Sequence, residues 1–143
     1  MRRLTLVLAL FLLPTTAHAV GLGVDVGAGT WLLEGLQGDV HLSVEQELLD
    51  FLVIGARPGV SLTLTEPNPR VGFPIDLSVR LKLAFLYLEG LAGMLWMPSS
   101  IDPIRAHAAA GLGLQLWKFR VGVEVGYLQP SLSLLARVGF TFF

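Results

Sequence analysis

The sequence predicts an all-β protein, namely an antiparallel up-and-down transmembrane β-barrel of about eight strands that follows a cleaved signal peptide. Three observations carry this prediction: an export leader, apolar and polar residues that alternate along most of the remaining chain, and a spacing of 34 residues between similar segments. Alternation with a period of two is typical of strands, because successive side chains point to opposite faces of a sheet.

The first 19 residues have the three parts of a secretory signal peptide. Arg2 and Arg3 precede an apolar run, and the segment ends on the small-residue sequence Ala17-His18-Ala19. Because the apolar run is shorter than the roughly 20 residues that a membrane-spanning helix needs, we expect cleavage after Ala19 and one barrel domain over residues 20–143. The chain has no cysteine, which argues against a lipid anchor and a disulfide framework.

The chain after the leader is acidic and hydrophobic. Without the two leader arginines, the 10 basic residues fall to 8, against 11 acidic ones. Nucleic acid is therefore not expected as a partner, since phosphate binding needs a basic face. The hydrophobic content is 53% and the mean hydropathy is +0.67, yet the best helical candidate, residues 83–97, is interrupted by Glu89. A hydrophobic chain without spanning helices satisfies its backbone in lipid by closing a sheet into a barrel.

Three similar segments recur along the chain: Leu49-Asp50-Phe51, Leu83-Ala84-Phe85 and Trp117-Lys118-Phe119. Their phenylalanines are 34 residues apart, a period that tetratricopeptide helices share, but the helical spacing of apolar residues is absent here. The repeated unit is better explained as a hairpin of two strands, with Gly- and Pro-rich segments near the middle of each period. Four hairpins place strands at residues 20–32, 39–49, 52–65, 73–83, 86–97, 104–117, 119–128 and 132–143.

Every second residue of these strands forms an apolar row without charged side chains, and the other row holds most of the charge and most of the glycines. The charged residues are predicted to form a network in the barrel lumen, and they are Asp25, Glu45, Glu47, Arg57, Asp76, Arg80, Lys82, Glu89, Arg105, Arg120, Glu124 and Arg137. Periodicity alone leaves open a soluble barrel with the apolar row inside.

The aromatic residues of the apolar row favour a membrane. Phe73, Trp96 and Tyr127 lie beside the predicted loops, and Phe119, Phe140 and Phe142 lie toward the other rim. Such positions are typical of the two girdles that flank a lipid-facing band. A balanced charged row paved with glycine also suits long side chains that cross a crowded lumen. The apolar row is therefore predicted to face lipid.

The last strand ends on Gly139-Phe140-Thr141-Phe142-Phe143. This ending resembles the C-terminal β-signal of bacterial outer-membrane barrels, and the chain after the leader resembles the OmpA/OmpX class of eight-stranded barrels. The resemblance implies an outer-membrane location, with outer-membrane lipid and the barrel assembly machinery as partners and Gly139, Phe140, Phe142 and Phe143 as the assembly signal. One departure is that Phe143 falls in the inward register, whereas the final Phe of such signals keeps the lipid-facing one.

The predicted role is a non-enzymatic barrel with a structural or surface-interaction function, a lumen closed by salt bridges, no cofactor and no metal. An eight-stranded barrel is just wide enough for side chains to fill it, and buried charges need partners. A narrow solute-binding or conducting barrel, with the lumen cations as its lining, is one alternative. A lipid-modifying enzyme built on Ser43, His41, Glu45 and Glu47 is another, and a soluble periplasmic barrel is a third. His41 and His107 share the inward register, but their spacing matches no compact metal motif.

Overall fold

The computed structural model describes residues 20–65 and 68–142. The predicted signal peptide, Glu66 and Pro67 of the predicted connection, and Phe143 of the predicted assembly signal lie outside the described residues. The eight strands are β1 (Val20–Trp31), β2 (Gly35–Leu49), β3 (Leu52–Leu64), β4 (Arg70–Leu83), β5 (Leu86–Trp96), β6 (Ile104–Leu116), β7 (Phe119–Leu128) and β8 (Ser131–Thr141).

Each strand pairs antiparallel with the next, and β1 pairs with β8, so the sheet closes into an up-and-down barrel. The closing register runs from Gly23 opposite Thr141 to Trp31 opposite Ser133. The predicted fold class and the strand number are therefore confirmed. Closure leaves no unpaired sheet edge, which is the condition for a β-structure to span lipid.

Two strands begin earlier than the sequence predicts. β2 starts at Gly35 instead of residue 39, and β4 starts at Arg70 instead of residue 73. The polar and glycine residues of these segments indicate a loop, but Leu36 pairs with Thr30 of β1 and the side chain of Gln37 is buried inside the barrel. Polar residues and glycines are compatible with a strand here because the inward face of the sheet is polar.

The two ends of the barrel differ in their connections. Residues 50–51, 84–85 and 117–118 connect strands at one end, called the turn end below, and residues 32–34, 65–69, 97–103 and 129–130 connect strands at the opposite, loop end. The 34-residue repeat thus predicts the three hairpin turns of the turn end. The third turn differs from the other two, because Phe119 is the first residue of β7, whereas Phe51 and Phe85 lie in their turns. The third turn therefore comes one residue earlier than the phenylalanine spacing suggests.

The alternation of side chains puts the apolar row outside. Val26, Leu77 and Val123 are about half exposed or more on the outer wall, whereas the charged row is buried, including Asp76 at 0% and Arg57 at 1% relative exposure. This is the reverse of a soluble barrel and suits a lipid solvent. Over the described residues, no helix is long and apolar enough to cross a membrane.

Candidate functional site in the barrel lumen

A continuous chain of ion pairs crosses the lumen from the turn end toward its middle. At its start, Arg120 Nη2 donates to Asp25 Oδ1 at 2.9 Å, and Arg120 Nη1 donates to Glu45 Oε1 at 2.7 Å. Arg80 then holds Glu45 through two nitrogens, at 2.8 and 3.0 Å, and also donates to Glu89 Oε1 at 2.8 Å. Glu45 thus accepts from two guanidiniums that come from different strands.

The chain continues through Arg57, whose Nη1 lies 3.3 Å from Glu89 Oε2 and 3.7 Å from Glu124 Oε2. Arg137 then donates through Nε to Glu124 at 2.5 Å and through Nη1 to Asp39 at 2.9 Å. We call the connected side chains the lumen network, and its members are Asp25, Arg120, Glu45, Arg80, Glu89, Arg57, Glu124, Arg137 and Asp39. Carboxylate and guanidinium alternate along it, so each buried charge has an opposite neighbour.

Two histidines lie beside the lumen network. His41 Nδ1 is 3.1 Å from Arg137 Nη1, and because a guanidinium only donates, this imidazole nitrogen accepts. His107 Nδ1 is 2.8 Å from Asp76 Oδ1, and its Nε2 is 3.9 Å from Glu124 Oε1. Asp76 therefore joins the lumen network through His107. Within the described residues, no group of three or more potential ligands is arranged to hold a metal ion.

The remaining predicted network residues lie apart from it. Lys82 Nζ pairs with Glu47 Oε2 at 2.6 Å near the turn end, where both side chains are partly exposed. Arg105 lies at the loop end, with Nη1 3.1 Å from Glu34 Oε1 and Nη2 2.9 Å from the Ser100 hydroxyl. The barrel therefore separates Glu47, Lys82 and Arg105 along its axis from the other charged residues of the predicted network.

Several lumen residues are absent from the sequence prediction. Asp39 is 4% exposed and terminates the lumen network, although its alternation in β2 already indicated an inward position. Glu34 accepts from Arg70 Nη1 at 2.8 Å as well as from Arg105. Because Glu34 and Arg70 lie in predicted loops, only the folded chain brings them together with Arg105.

The loop end of the lumen also contains an apolar layer that the sequence analysis did not predict. Trp31, Leu95, Met97 and Leu128 form a buried cluster with exposures of 0–3%. Trp31 Nε1 donates to the Leu128 carbonyl at 2.8 Å, and the guanidinium of Arg105 lies 4.9 Å from the Trp31 ring centroid. Below this layer is a cavity of about 10 Å³ that Gln37 and His41 help to line, enough for about one water molecule.

Glycines leave room for the long side chains of the lumen network. A Cβ placed at Gly27 would lie 2.5 Å from Asp39 Oδ1 and 3.2 Å from Arg137 Nη1. A Cβ at Gly139 would meet Arg120 Nε at 3.0 Å and the Asp25 carboxylate at a shorter distance. Glycine on the inward row is therefore a packing requirement of the charged lumen.

The predicted interface aromatics all project from the outer wall. Phe73 and Trp96 are neighbours near the loop end, with ring centroids 5.5 Å apart, and Tyr127 is 48% exposed on the same side. Toward the turn end, the ring centroids of Phe119 and Phe140 are 4.8 Å apart, and those of Phe140 and Phe142 are 5.3 Å apart. The aromatic rings thus occupy two bands separated by aliphatic residues.

The residues of the hydrolase alternative do not form a catalytic arrangement. Ser43 is fully buried, and its hydroxyl has no hydrogen-bond partner. Glu45 accepts from Arg80 and Arg120, and Glu47 pairs with Lys82. A nucleophilic serine needs a base within hydrogen-bond reach, and the candidate partners of Ser43 are engaged with cations.

The fold is that of eight-stranded transmembrane β-barrels. The de novo designed barrel TMB2.3 has a TM-score of 0.64 and 17% identity to this chain, covering 90% of it and 99% of the design. The Yersinia pestis outer membrane protein Ail has a TM-score of 0.60 and 12% identity to this chain, covering 87% of this chain and 100% of Ail. These likenesses confirm the resemblance at the level of the fold.

A further similar structure is the outer membrane enzyme PagL, with a TM-score of 0.57 and 12% identity, which covers 83% of this chain and 97% of PagL. Sequence identities this low show similarity of fold alone. No protein-family model matches the chain, and no curated protein matches it either. Barrels of this shape therefore include an enzyme.

Proposed function

We propose that the protein is a non-enzymatic integral protein of the bacterial outer membrane, with a closed lumen and a structural role in the envelope. The observation that carries this proposal is the continuity of the lumen network beneath the apolar layer. Ion pairs occupy the lumen from Asp25 to Asp39, and Trp31, Leu95 and Met97 fill it next to the loop end. A hydrated ion would have to displace both.

The connections at the loop end support a structural role over an adhesive one. Arg105 contacts Glu34 of the β1–β2 connection, Ser100 of the β5–β6 connection and the Gln129 carbonyl of the β7–β8 connection. These connections are short, and one guanidinium joins them. A surface that recognises an unknown partner remains compatible with this end, but it would be small.

The outer wall supports a role without catalysis. In the strands over residues 20–65 and 68–142, no Asp, Glu, His, Lys or Arg side chain projects outward. An enzyme acting on lipid from the bilayer side would need acid–base or nucleophilic groups on this wall. The Asp, Glu, His, Lys and Arg side chains of these strands lie instead on the inward row, where most of them contact an opposite charge.

Conductance in planar bilayers tests the closed lumen. We expect the refolded protein to give no discrete openings under conditions in which a porin conducts. The double variant Trp31→Ala/Met97→Ala removes much of the apolar layer but leaves the lumen network in place, so we expect it to stay closed, like the control Leu33→Ala at an exposed loop-end position; discrete openings of the double variant alone would show that the apolar layer, and not the lumen network, closes the lumen. Discrete openings of the unmodified protein would refute the closed lumen.

Location and activity need separate tests. A membrane barrel should remain in the outer-membrane fraction, require detergent for release and change its gel migration on boiling. Release without detergent would instead support the soluble barrel. For activity, phospholipid and lipid A profiles of cells producing the protein are compared with those of cells producing Ser43→Ala. A difference between the two would overturn the non-enzymatic proposal.

A further inference from the structure

The buried charges in the middle of the lumen do not balance. Among the described residues between the turn end and the apolar layer, six carboxylates and four guanidiniums are at least nine-tenths buried. The carboxylates are Asp25, Asp39, Glu45, Asp76, Glu89 and Glu124, and the guanidiniums are Arg57, Arg80, Arg120 and Arg137. Arg105 is also buried, but it pairs with Glu34 at the loop end. Because an uncompensated buried charge is costly, further positive charge is expected inside the barrel.

Asp76 is the buried carboxylate with the least compensation. It is 0% exposed, and its Oδ2 atom has no hydrogen-bond partner. Arg57 lies opposite in the β3–β4 ladder, but its guanidinium contacts Glu89 and Glu124 instead. In the described part of the chain, the one ion-pair contact of Asp76 is His107, whose Nδ1 lies 2.8 Å from Asp76 Oδ1. An ionised Asp76 therefore depends on a positive charge at His107.

The barrel places the two ring nitrogens of His107 against two carboxylates. Asp76, Gly93 and His107 are directly opposite one another on β4, β5 and β6. A Cβ at Gly93 would meet Asp76 Oδ1, so glycine at this position lets the imidazole reach the carboxylate across β5. On the other side of the ring, His107 Nε2 lies 3.9 Å from Glu124 Oε1 of β7. A doubly protonated imidazole carries a donor at each nitrogen, whereas a neutral one turns an unprotonated nitrogen toward one of the carboxylates.

The other charged and titratable groups around His107 are already paired. They come from several strands and are Asp39 and His41 of β2, Arg57 of β3, Asp76 of β4, Glu124 of β7 and Arg137 of β8. Both guanidiniums bind carboxylates. His41 Nδ1 accepts from Arg137 Nη1 at 3.1 Å, so the His41 ring is neutral. Of the two histidines, His107 is therefore the one whose contacts are those of a cation.

We propose that folding binds a proton at His107, and that the resulting imidazolium bridges Asp76 of β4 and Glu124 of β7. This histidine bridge makes the stability of the barrel depend on proton concentration. When the imidazole loses its proton in alkaline medium, Asp76 is left buried without a cation, and this side of the lumen is weakened. The histidine bridge rests on the closed lumen proposed above, because water in the lumen would screen both carboxylates, and the experiments below separate the two.

The protonation state is measured by NMR on the ring nitrogens. The chain after the leader has His41 and His107 as its histidines. The protein with isotope-labelled histidine is refolded in detergent micelles near neutral pH, and the variant His41→Gln assigns the signals. We expect protons on both ring nitrogens of His107, and on Nε2 alone of His41. A single protonated nitrogen at His107, beside a slowly exchanging Nε2–H of His41, would overturn the histidine bridge and leave the closed lumen standing. Ring protons of both histidines that exchange with water too fast to be observed would overturn the closed lumen as well.

The pH dependence of unfolding gives a second test. Above about pH 6.5 an exposed histidine loses its proton, so the unfolded chain would bind one proton fewer than the folded chain. The equilibrium constant of urea unfolding in vesicles should then rise by up to about ten-fold per pH unit, until His107 itself is deprotonated. His107→Gln should remove this rise, whereas His41→Gln should keep it, because His41 is neutral in both states at such pH. An equal rise in His107→Gln and in the unmodified protein would refute the histidine bridge.

Discussion

Neutralising Glu45 should destabilise the barrel far more than neutralising Glu47, its inward-facing neighbour in β2. Glu45 is 8% exposed and accepts four hydrogen bonds, at 2.7–3.0 Å, from Arg80 and Arg120. Glu47 pairs with Lys82, and these side chains are 36% and 26% exposed. The two substitutions to glutamine are chemically identical and differ only in burial and in the number of partners.

The expected magnitudes follow from that difference. Removing one member of a buried ion pair costs about 3–5 kcal/mol, because the remaining charge is left buried without its partner. After Glu45→Gln, Arg80 keeps Glu89 and Arg120 keeps Asp25, so we expect about 3 kcal/mol, the lower end of that range. Glu47→Gln should cost about 0–1 kcal/mol, as for solvent-exposed pairs.

The measurement is reversible urea unfolding in phospholipid vesicles, followed by tryptophan emission, with the free energies taken from the midpoint and slope. The variants Arg80→Met and Glu45→Gln/Arg80→Met complete a double-mutant cycle that isolates the Glu45–Arg80 interaction. A cost of Glu45→Gln no larger than that of Glu47→Gln would refute the reasoning. It would mean that water in the lumen screens the network.

Three further predictions concern the wall, the glycines and the turns. Leu77→Arg, near the middle of the outward row of β4, should lower the free energy of unfolding in vesicles by about 2–4 kcal/mol. Leu83→Arg, at the rim, should lower it by only about 0–1 kcal/mol. Equal losses would contradict the assignment of this row to lipid. Gly139→Val should abolish the folded, heat-modifiable band in gel electrophoresis, because a Cβ at Gly139 meets the lumen network. Gly90→Val should retain that band, since no atom lies within 4 Å of a Cβ added at Gly90. A folded Gly139→Val variant would show that the lumen is not tightly packed. Ala84→Gly should raise the free energy of unfolding by about 1 kcal/mol, because Ala84 has a φ of 57° that glycine adopts without strain. An unchanged midpoint of urea unfolding would argue against strain in that turn.

The strands were predictable because each carries its own alternating pattern. β7 (Phe119–Leu128) coincides with its predicted bounds, since Val121, Val123 and Val125 mark one face and Arg120 and Glu124 the other. The starts of β2 and β4 were predicted too late. Gly38 and Gly72 signal a loop locally, whereas in the barrel they belong to strands that pair with β1 and β3.

The pairing of charges was not predictable from sequence or even from strand register. Arg57 and Asp76 are directly opposite in the β3–β4 ladder, yet Arg57 extends to Glu89 and Glu124, and Asp76 binds His107 of β6. Long side chains inside a narrow barrel reach several strands. The choice among carboxylates therefore depends on distances across the lumen, which no local pattern encodes.

The sequence by itself determined the alternation, the hairpin turns and the separation of an apolar row from a charged row, because these depend on neighbours within one or two residues. Alternation alone left the orientation of the two rows open, and the positions of the aromatic residues predicted that the apolar row lies outside; closure of β1 on β8 realises this orientation, because it sets which face becomes the lumen. The same closure assembled the lumen network and placed Trp31, Leu95, Met97 and Leu128 in one layer. These residues come from strands and connections far apart in the chain, so their contact exists only once the barrel is complete.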